Sequence, residues 1–158
     1  MESLRNEYAR VLTDEPLRKY LYEHHITPEN YRAREKELMA MFPSPQAWEA
    51  FVREYLTPSA MLSCHEFLEN GQRFDLFPHP RYIQQTFHMH DFFEMKVQLN
   101  GSGTVFLDAH TLFLKESDIC IIAPYVPHRN EVYTDGAVMI NLVLPHEYLT
   151  ELFPRLTG

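Results

Sequence analysis

The stretch TFHMHDFFEMKVQLNG, Thr86–Gly101, decides how the chain is read. It is strand-like and ends on Asn100-Gly101, a pair that favours the tight turn between two strands. Alternate side chains of a strand share a face, so His88, His90, Phe92, Glu94, Lys96 and Gln98 point one way. Phe87, Met89, Asp91, Phe93, Met95, Val97 and Leu99 point the other way and form the apolar set. Taken alone, that division would put the polar set in water. Two features weigh against it. Two imidazoles and a carboxylate, His88, His90 and Glu94, share one face, so three common metal-ligating groups can converge. A fourth, His128, follows in APYVPHRN behind two prolines that would fix a rigid turn. A barrel could then gather three ligands from one strand and one from a neighbour, with a polar ligand pocket inside and helices covering the apolar outside. Lys96 and Gln98 share the inward parity and could read an anionic or hydroxylated ligand.

The bulk numbers set the frame. At 158 residues the chain is the size of one ordinary domain, and 45% apolar with 23% charged residues is a globular balance. The formal charge of −8 would repel DNA and anionic membranes, and no basic run offsets it. Cys64 and Cys120 have no spacing motif and make no disulfide framework, which points to a reducing cytoplasm. No stretch reaches transmembrane length, and MESLRNEYAR carries charges where a signal peptide needs an apolar core. The expectation is a soluble, cytoplasmic protein.

The chain changes character near Phe74. Residues 1–73 read as helical, with start signals at Thr13 or Asp14 before Pro16, at Thr27-Pro28 and at Ser44-Pro45. After the last of these, Ala47, Trp48, Phe51, Val52 and Tyr55 form one apolar stripe. A fourth helix is predicted from Pro58 to Asn70, stopping at Gly71. Residues 74–145 turn to short β-type runs: RYIQQTF, HDFFEMKVQL, GTVFLD, TLFLK, DICIIAP, NEVYT and AVMINLVL, divided by turn residues. Some seven short strands predict a β-sandwich or small barrel. Pro145 then opens HEYLTELFPRL, so residues 146–158 read as the start of a linking helix. The fold class is mainly β (α+β), preceded by three or four helices.

Two segments resemble a known family. HMHDFFE, followed by six residues and Gly101, resembles the first cupin motif, and SDICIIAPYVPH, Ser117–His128, resembles the second, with Pro124 and His128 in its proline and histidine positions. Ser117 and Val126 stand where that motif usually has glycines, and no asparagine follows His128 at the usual offset. Over residues 74–153, about half the chain, the sequence resembles the N-terminal sensor domain of AraC-type transcription regulators. The resemblance implies a cupin-type double-stranded β-helix, a jelly-roll barrel, that binds a small-molecule effector. It also implies a homodimer, and DNA binding through a C-terminal pair of helix-turn-helix motifs that does not follow here. For His88, His90, Glu94 and His128 it leaves two readings open. One is a divalent transition metal (Zn, Ni, Mn or Fe), as cupin enzymes hold at these positions. The other is a metal-free effector pocket lined by the same groups.

Three functions from different classes follow. The first is the effector-sensing and dimerisation domain of a regulator. The second is a metal-dependent cupin enzyme, a dioxygenase or isomerase acting on a small molecule. The third is an interaction module whose Trp48 stripe assembles a dimer. Beyond Lys96 and Tyr133 the strands add no obvious acid–base group, so no catalytic residue is expected. His110 reads as an exposed turn residue, His24 and His25 as a helix end, and His79 as part of an extended linker. His65 and His146 read as surface or packing residues. Asp91 has the wrong parity for the pocket and is expected to orient a neighbouring backbone or histidine edge.

Overall fold

The computed structural model describes residues 2–57, 59–68 and 72–152. Three helices come first: α1 (Glu2–Glu23), the short α2 (Glu35–Met39) after a 3-10 turn at Tyr31–Arg34, and α3 (Pro45–Phe51), which runs on into a π-helical turn, Val52–Leu56. α3 starts where the sequence signals it. Ser44 is extended and its hydroxyl accepts the Ala47 N–H at 3.2 Å, while Pro45 occupies the first turn, where its missing N–H costs nothing. Trp48, Phe51, Tyr55 and Leu56 then bury against Leu21, Ile26, Tyr31 and Leu38 in one apolar core. α1 begins well before its expected start, with Pro16 inside it. Thr13, read as a cap, instead donates its hydroxyl to the Ala9 carbonyl within the helix.

The fourth predicted helix does not form in the described part of its span; Pro58 and residues 69–71 lie outside the described residues. In its place are strand β1 (Met61–Leu62) and a 3-10 turn, Cys64–Glu66. Tertiary pairing overrides the local preference here. β1 pairs in parallel with β3 (Met89–His90), and the Asp91 carboxylate accepts hydrogen bonds from Ser63 Oγ and the Cys64 N–H.

The barrel is built from β2 (Asp75–Pro78), β4 (Phe93–Asn100), β5 (Ser102–Leu107), β6 (Thr111–Lys115), β7 (Ile119–Ile122), β8 (His128–Glu131) and β9 (Val138–Leu144). One antiparallel sheet runs β2-β9-β4-β7 and the other β6-β5-β8, the arrangement of a cupin jelly roll. Mutual hydrogen bonds of 2.9 Å between the His88 and His128 backbones link the 88–90 segment to the second sheet. Gly101, the glycine of the first motif, has φ +69° and a Cβ there would meet Ala137 at 3.0 Å, so the turn into β5 requires it. Ser117, where the second motif usually has glycine, also takes a left-handed φ of 74°.

Residues 81–87, read as a strand, form none. Tyr82 has a φ of 61°, and the amide side chains of Gln84 and Gln85 bond outward to the Ile26 carbonyl and to Asn130. The segment thus threads between helices and barrel. Arg81 pairs with Glu15 at 2.6 Å, and the buried Arg18 reaches the Arg81 carbonyl, which seats α1 on the barrel. The helices do not cover the whole apolar exterior, as the sequence reading supposed: Phe113, Ile119 and Ile121 are 73%, 60% and 59% exposed. A last helix, α4 (His146–Leu152), follows β9; residues 153–158 lie outside the described set.

Candidate functional site: a buried histidine–carboxylate–lysine cluster

The parity of the Thr86–Gly101 stretch is realised with its polar face inward. His88, His90, Phe92, Glu94, Lys96 and Gln98 are all buried, while Phe87 and Leu99 are exposed and Met89, Asp91, Phe93, Met95 and Val97 half-buried. A β-bulge falls only beyond Gln98, so the alternation holds across the whole predicted site.

His90, Glu94 and His128 come together. One oxygen, Glu94 Oε2, lies 3.4 Å from His90 Nε2 and 3.2 Å from His128 Nε2. The other ring nitrogens are committed to backbone. His90 Nδ1 faces the Phe92 carbonyl at 2.7 Å and His128 Nδ1 faces the Val126 carbonyl at 3.0 Å. A carbonyl only accepts, so each Nδ1 carries the proton and each Nε2 is left to face the carboxylate. His88 is not part of this trio. Its ring lies tilted beside that of His128, with centroids 4.4 Å apart, and its Nδ1 is held by the Thr86 carbonyl at 3.2 Å. Burial and the neighbouring His128 push its pKa down to about 4, so it is neutral at physiological pH.

Lys96 shares the same oxygen, with Nζ 2.7 Å from Glu94 Oε2 and fully buried. Burial alone would push Glu94 up; the Lys96 ammonium beside it overcomes burial and holds the carboxyl well below its usual range. Lys96 also reaches Asn141 Oδ1 at 3.3 Å, and Asn141 Nδ2 reaches His79 Nδ1 at 3.3 Å. Gln98 lies deeper and bonds the Asn100 carbonyl at 2.7 Å. His79 and Asn141 were not singled out in the sequence. His79 looked like linker, yet it is 4% exposed and pushed down to about 3 by burial and by Lys96. Asn141 could have been found as the one amide at inward parity in the apolar run AVMINLVL.

The trio has the composition of a metal-ligand set, with one donor atom from each residue within 4.8 Å of the others. Lys96 does not belong in such a set. An ion bound to Oε2 at ~2 Å would lie within ~5 Å of the ammonium, where the repulsion of +2 and +1 charges is on the order of 6 kcal/mol at an effective dielectric of about 20. The donors fit a metal; the four side chains together do not.

A cavity of about 150 Å³ opens where the barrel meets the helices, lined by Glu54, Tyr55, Thr57, Gln84 and Thr86 and, of the six predicted site residues, by His88 alone. Its walls come from both regions of the molecule. A larger groove of about 720 Å³, between α1 and α3, lies on the helical side and includes none of the barrel's polar residues. Asp91 points away from the cluster and holds the Ser63 hydroxyl and the Cys64 N–H, and His110 is exposed.

A polar-cored jelly roll of this kind places the chain among the cupins. More particularly, residues 76–155 match the AraC-like ligand binding domain, and the chain belongs to that family. Among solved structures it resembles KdgF from Halomonas sp., at 19% identity over 39% of this chain and 57% of that one, with a TM-score of 0.36. It also resembles a cupin-like protein from Thermotoga maritima, at 20% identity over 39% and 48%, TM-score 0.34. A cupin-2 domain containing protein from Shewanella frigidimarina aligns at 14% identity over 70% of this chain and 91% of that one, TM-score 0.40. The chain spans about half the length of the first of these structures. No curated protein matches it. No described helix is long and apolar enough to cross a membrane.

Proposed function

We propose that the chain is the effector-sensing and dimerisation domain of an AraC-type transcription regulator, acting in the cytoplasm and not itself an enzyme. The observation that carries this reading is the inverted barrel face, which buries Glu94, Lys96, Gln98, His128 and Asn141 while apolar side chains face out. Keeping that many hydrogen-bonding groups inside costs stability, and a barrel that must recognise a small polar molecule gives a reason to keep them. The effector enters beside His88, where the cavity is walled by the π-helical turn on one side and residues 84–88 on the other. A ligand seated there changes how the two regions hold each other, which is what a sensor needs if its two states are to bind the ligand with different affinity. The charge of −8 leaves DNA contact to a separate helix-turn-helix domain.

Residues 1–73 are the helical region of this reading, 74–145 the barrel and 146–158 the start of the connection. The test is a thermal-shift screen of sugars, sugar acids and short dicarboxylates, followed by the Glu94→Gln/His128→Ala double variant. A ligand at ~100 times its Kd should stabilise the wild type by about 2.7 kcal/mol and leave the folded double variant unmoved. A double variant that responds like wild type removes the pocket assignment, and a monomer in sedimentation velocity removes the dimer.

A second reading, a metal-dependent dioxygenase or isomerase, is favoured by the His90–Glu94–His128 trio alone. It requires stoichiometric metal together with turnover of a small substrate.

A further inference from the structure

We infer that Lys96 is a built-in cation that takes the place of the metal in this barrel, so that His90, Glu94 and His128 form a site closed to divalent ions. The inference stands independently of whether the barrel senses an effector.

Both imidazoles present Nε2 to the same oxygen, Glu94 Oε2, at 3.4 and 3.2 Å, having spent Nδ1 on backbone carbonyls. Lone pairs so placed repel a carboxylate oxygen, and a positive charge set among them offsets that repulsion. In a metal site that charge would be the ion. Here it is the Lys96 ammonium, fully buried and in the shortest contact of the group, 2.7 Å from that same oxygen. Lys96 is also too well held to swing aside: Asn141 Oδ1 takes a second of its protons at 3.3 Å, and Asn141 is itself braced by His79. With Lys96 present, the Glu94 carboxylate has its counter-charge 2.7 Å away. A divalent ion would add two positive charges beside a lysine that cannot reach solvent. With Lys96 replaced by a neutral residue, the same pocket holds two imidazoles and an uncompensated carboxylate, a set that suits Zn²⁺ or Co²⁺. One side chain therefore decides between metal and no metal.

The experiment compares wild type, Lys96→Met and Lys96→Gln, all without affinity tags, by equilibrium dialysis against Co²⁺ and by the visible spectrum of bound Co²⁺. Wild type should retain no cobalt at this site. The Lys96 variants should hold one ion per chain, at least ~100-fold more tightly than wild type given the charge repulsion removed. Adding His128→Ala should abolish that binding, which separates the site from surface histidines. A wild type that holds one Co²⁺ per chain, lost with His128→Ala, overturns the inference. So do folded Lys96 variants that bind no better than wild type. Where either variant is unfolded without metal, the inference requires that Co²⁺ restores its far-ultraviolet spectrum; a variant that stays unfolded in Co²⁺ counts against it. Effector binding in the wild type is read separately, by thermal shift without metal, so failure here and failure of the sensor reading remain distinct.

Discussion

The helices and the barrel solve the problem of an interior in opposite ways. In the helical region Leu38, Trp48, Phe51 and Leu56 meet in an aromatic and aliphatic core, with the buried Arg18 against Tyr55 at its edge. In the barrel, one layer is equally apolar, with Val105, Leu114, Cys120, Ile122, Val132 and Met139. Beside it the barrel buries His79, His88, His90, Glu94, Lys96, Gln98, His128, Asn130 and Asn141. Burying apolar surface stabilises without regard to direction, whereas each buried polar group must find a partner or lose free energy. The barrel has not satisfied all of its groups: His79 Nε2, His90 Nε2, Gln98 Oε1 and Asn130 Oδ1 have no hydrogen-bond partner. Among the described residues the helices leave one such group, Arg18 Nη1, so the two interiors differ in how much polarity they hold, a difference that the proposed recognition role of the barrel would account for.

The largest effect should come from the apolar side. Trp48 is 4% exposed and lies edge-on to Phe42, with Tyr31 and Phe51 around it. We expect Trp48→Ala to cost about 3–5 kcal/mol, read from urea unfolding by circular dichroism, because a large cavity opens in a core that cannot collapse onto it. A cost below about 1 kcal/mol would mean that the helical core is loosely packed and the contrast is false.

The barrel should respond to its central pair in a way no apolar core does. Removing the Glu94 carboxylate alone (Glu94→Leu) leaves Lys96 buried and uncompensated, and should cost about 3–5 kcal/mol. Glu94→Leu combined with Lys96→Met removes both charges and should bring stability back to within about 1 kcal/mol of wild type, or above it. The double-mutant cycle in urea tests this directly. Additive losses would mean that the pair is part of the packing; recovery would show a polar interior kept for something other than stability.

Acid should probe the barrel more than the helices. His79 has a pKa pushed down to about 3 by burial and then by Lys96. A histidine with a depressed folded pKa binds its proton more readily when unfolded. Its contribution to stability is therefore intact above the unfolded value of 6.5, and is lost progressively as pH falls towards about 3. At pH 5 the loss from His79 should be about 2 kcal/mol relative to pH 7. His88, pushed down to about 4, acts with the same sign. We expect urea midpoints to fall across that window and His79→Gln to flatten the fall, while Trp48→Ala shifts the curve without changing its slope.

What could be read in the sequence divides along the same line. The parity of Thr86–Gly101 was legible because side-chain alternation is a local property of a strand, and Ser44-Pro45 because a cap is made by neighbours in sequence. Four things were not. The Met61–Leu62 strand exists through its pairing with Met89–His90, a contact nearly thirty residues distant that overrides helical spacing. Residues 81–87 have strand composition, but Gln84 and Gln85 spend their amides on Ile26 and Asn130, and Tyr82 turns the backbone. His79, between two prolines, carried no sign of burial; its place follows from β2 pairing with β9, which sets it near Asn141. Lys96 was legible as inward-facing, but its pairing with Glu94 inside the histidine trio was not, because parity gives a direction and not a partner.

The smallest effects set two serines against each other, one in each region. Ser44 in the helical region does what serine does best, accepting the Ala47 N–H at 3.2 Å, and Ser44→Ala should cost about 1 kcal/mol. Ser117 in the barrel holds a φ of 74° in the turn before β7, a conformation that costs an L-residue roughly 1–2 kcal/mol. Glycine adopts it freely but loses more entropy on folding, so Ser117→Gly should stabilise by up to about 1 kcal/mol. Both changes are small enough to need matched urea curves. If Ser117→Gly destabilises instead, the hydroxyl holds more of the turn than the backbone costs, and this departure from the cupin motif is then a local adaptation and not a tolerated strain.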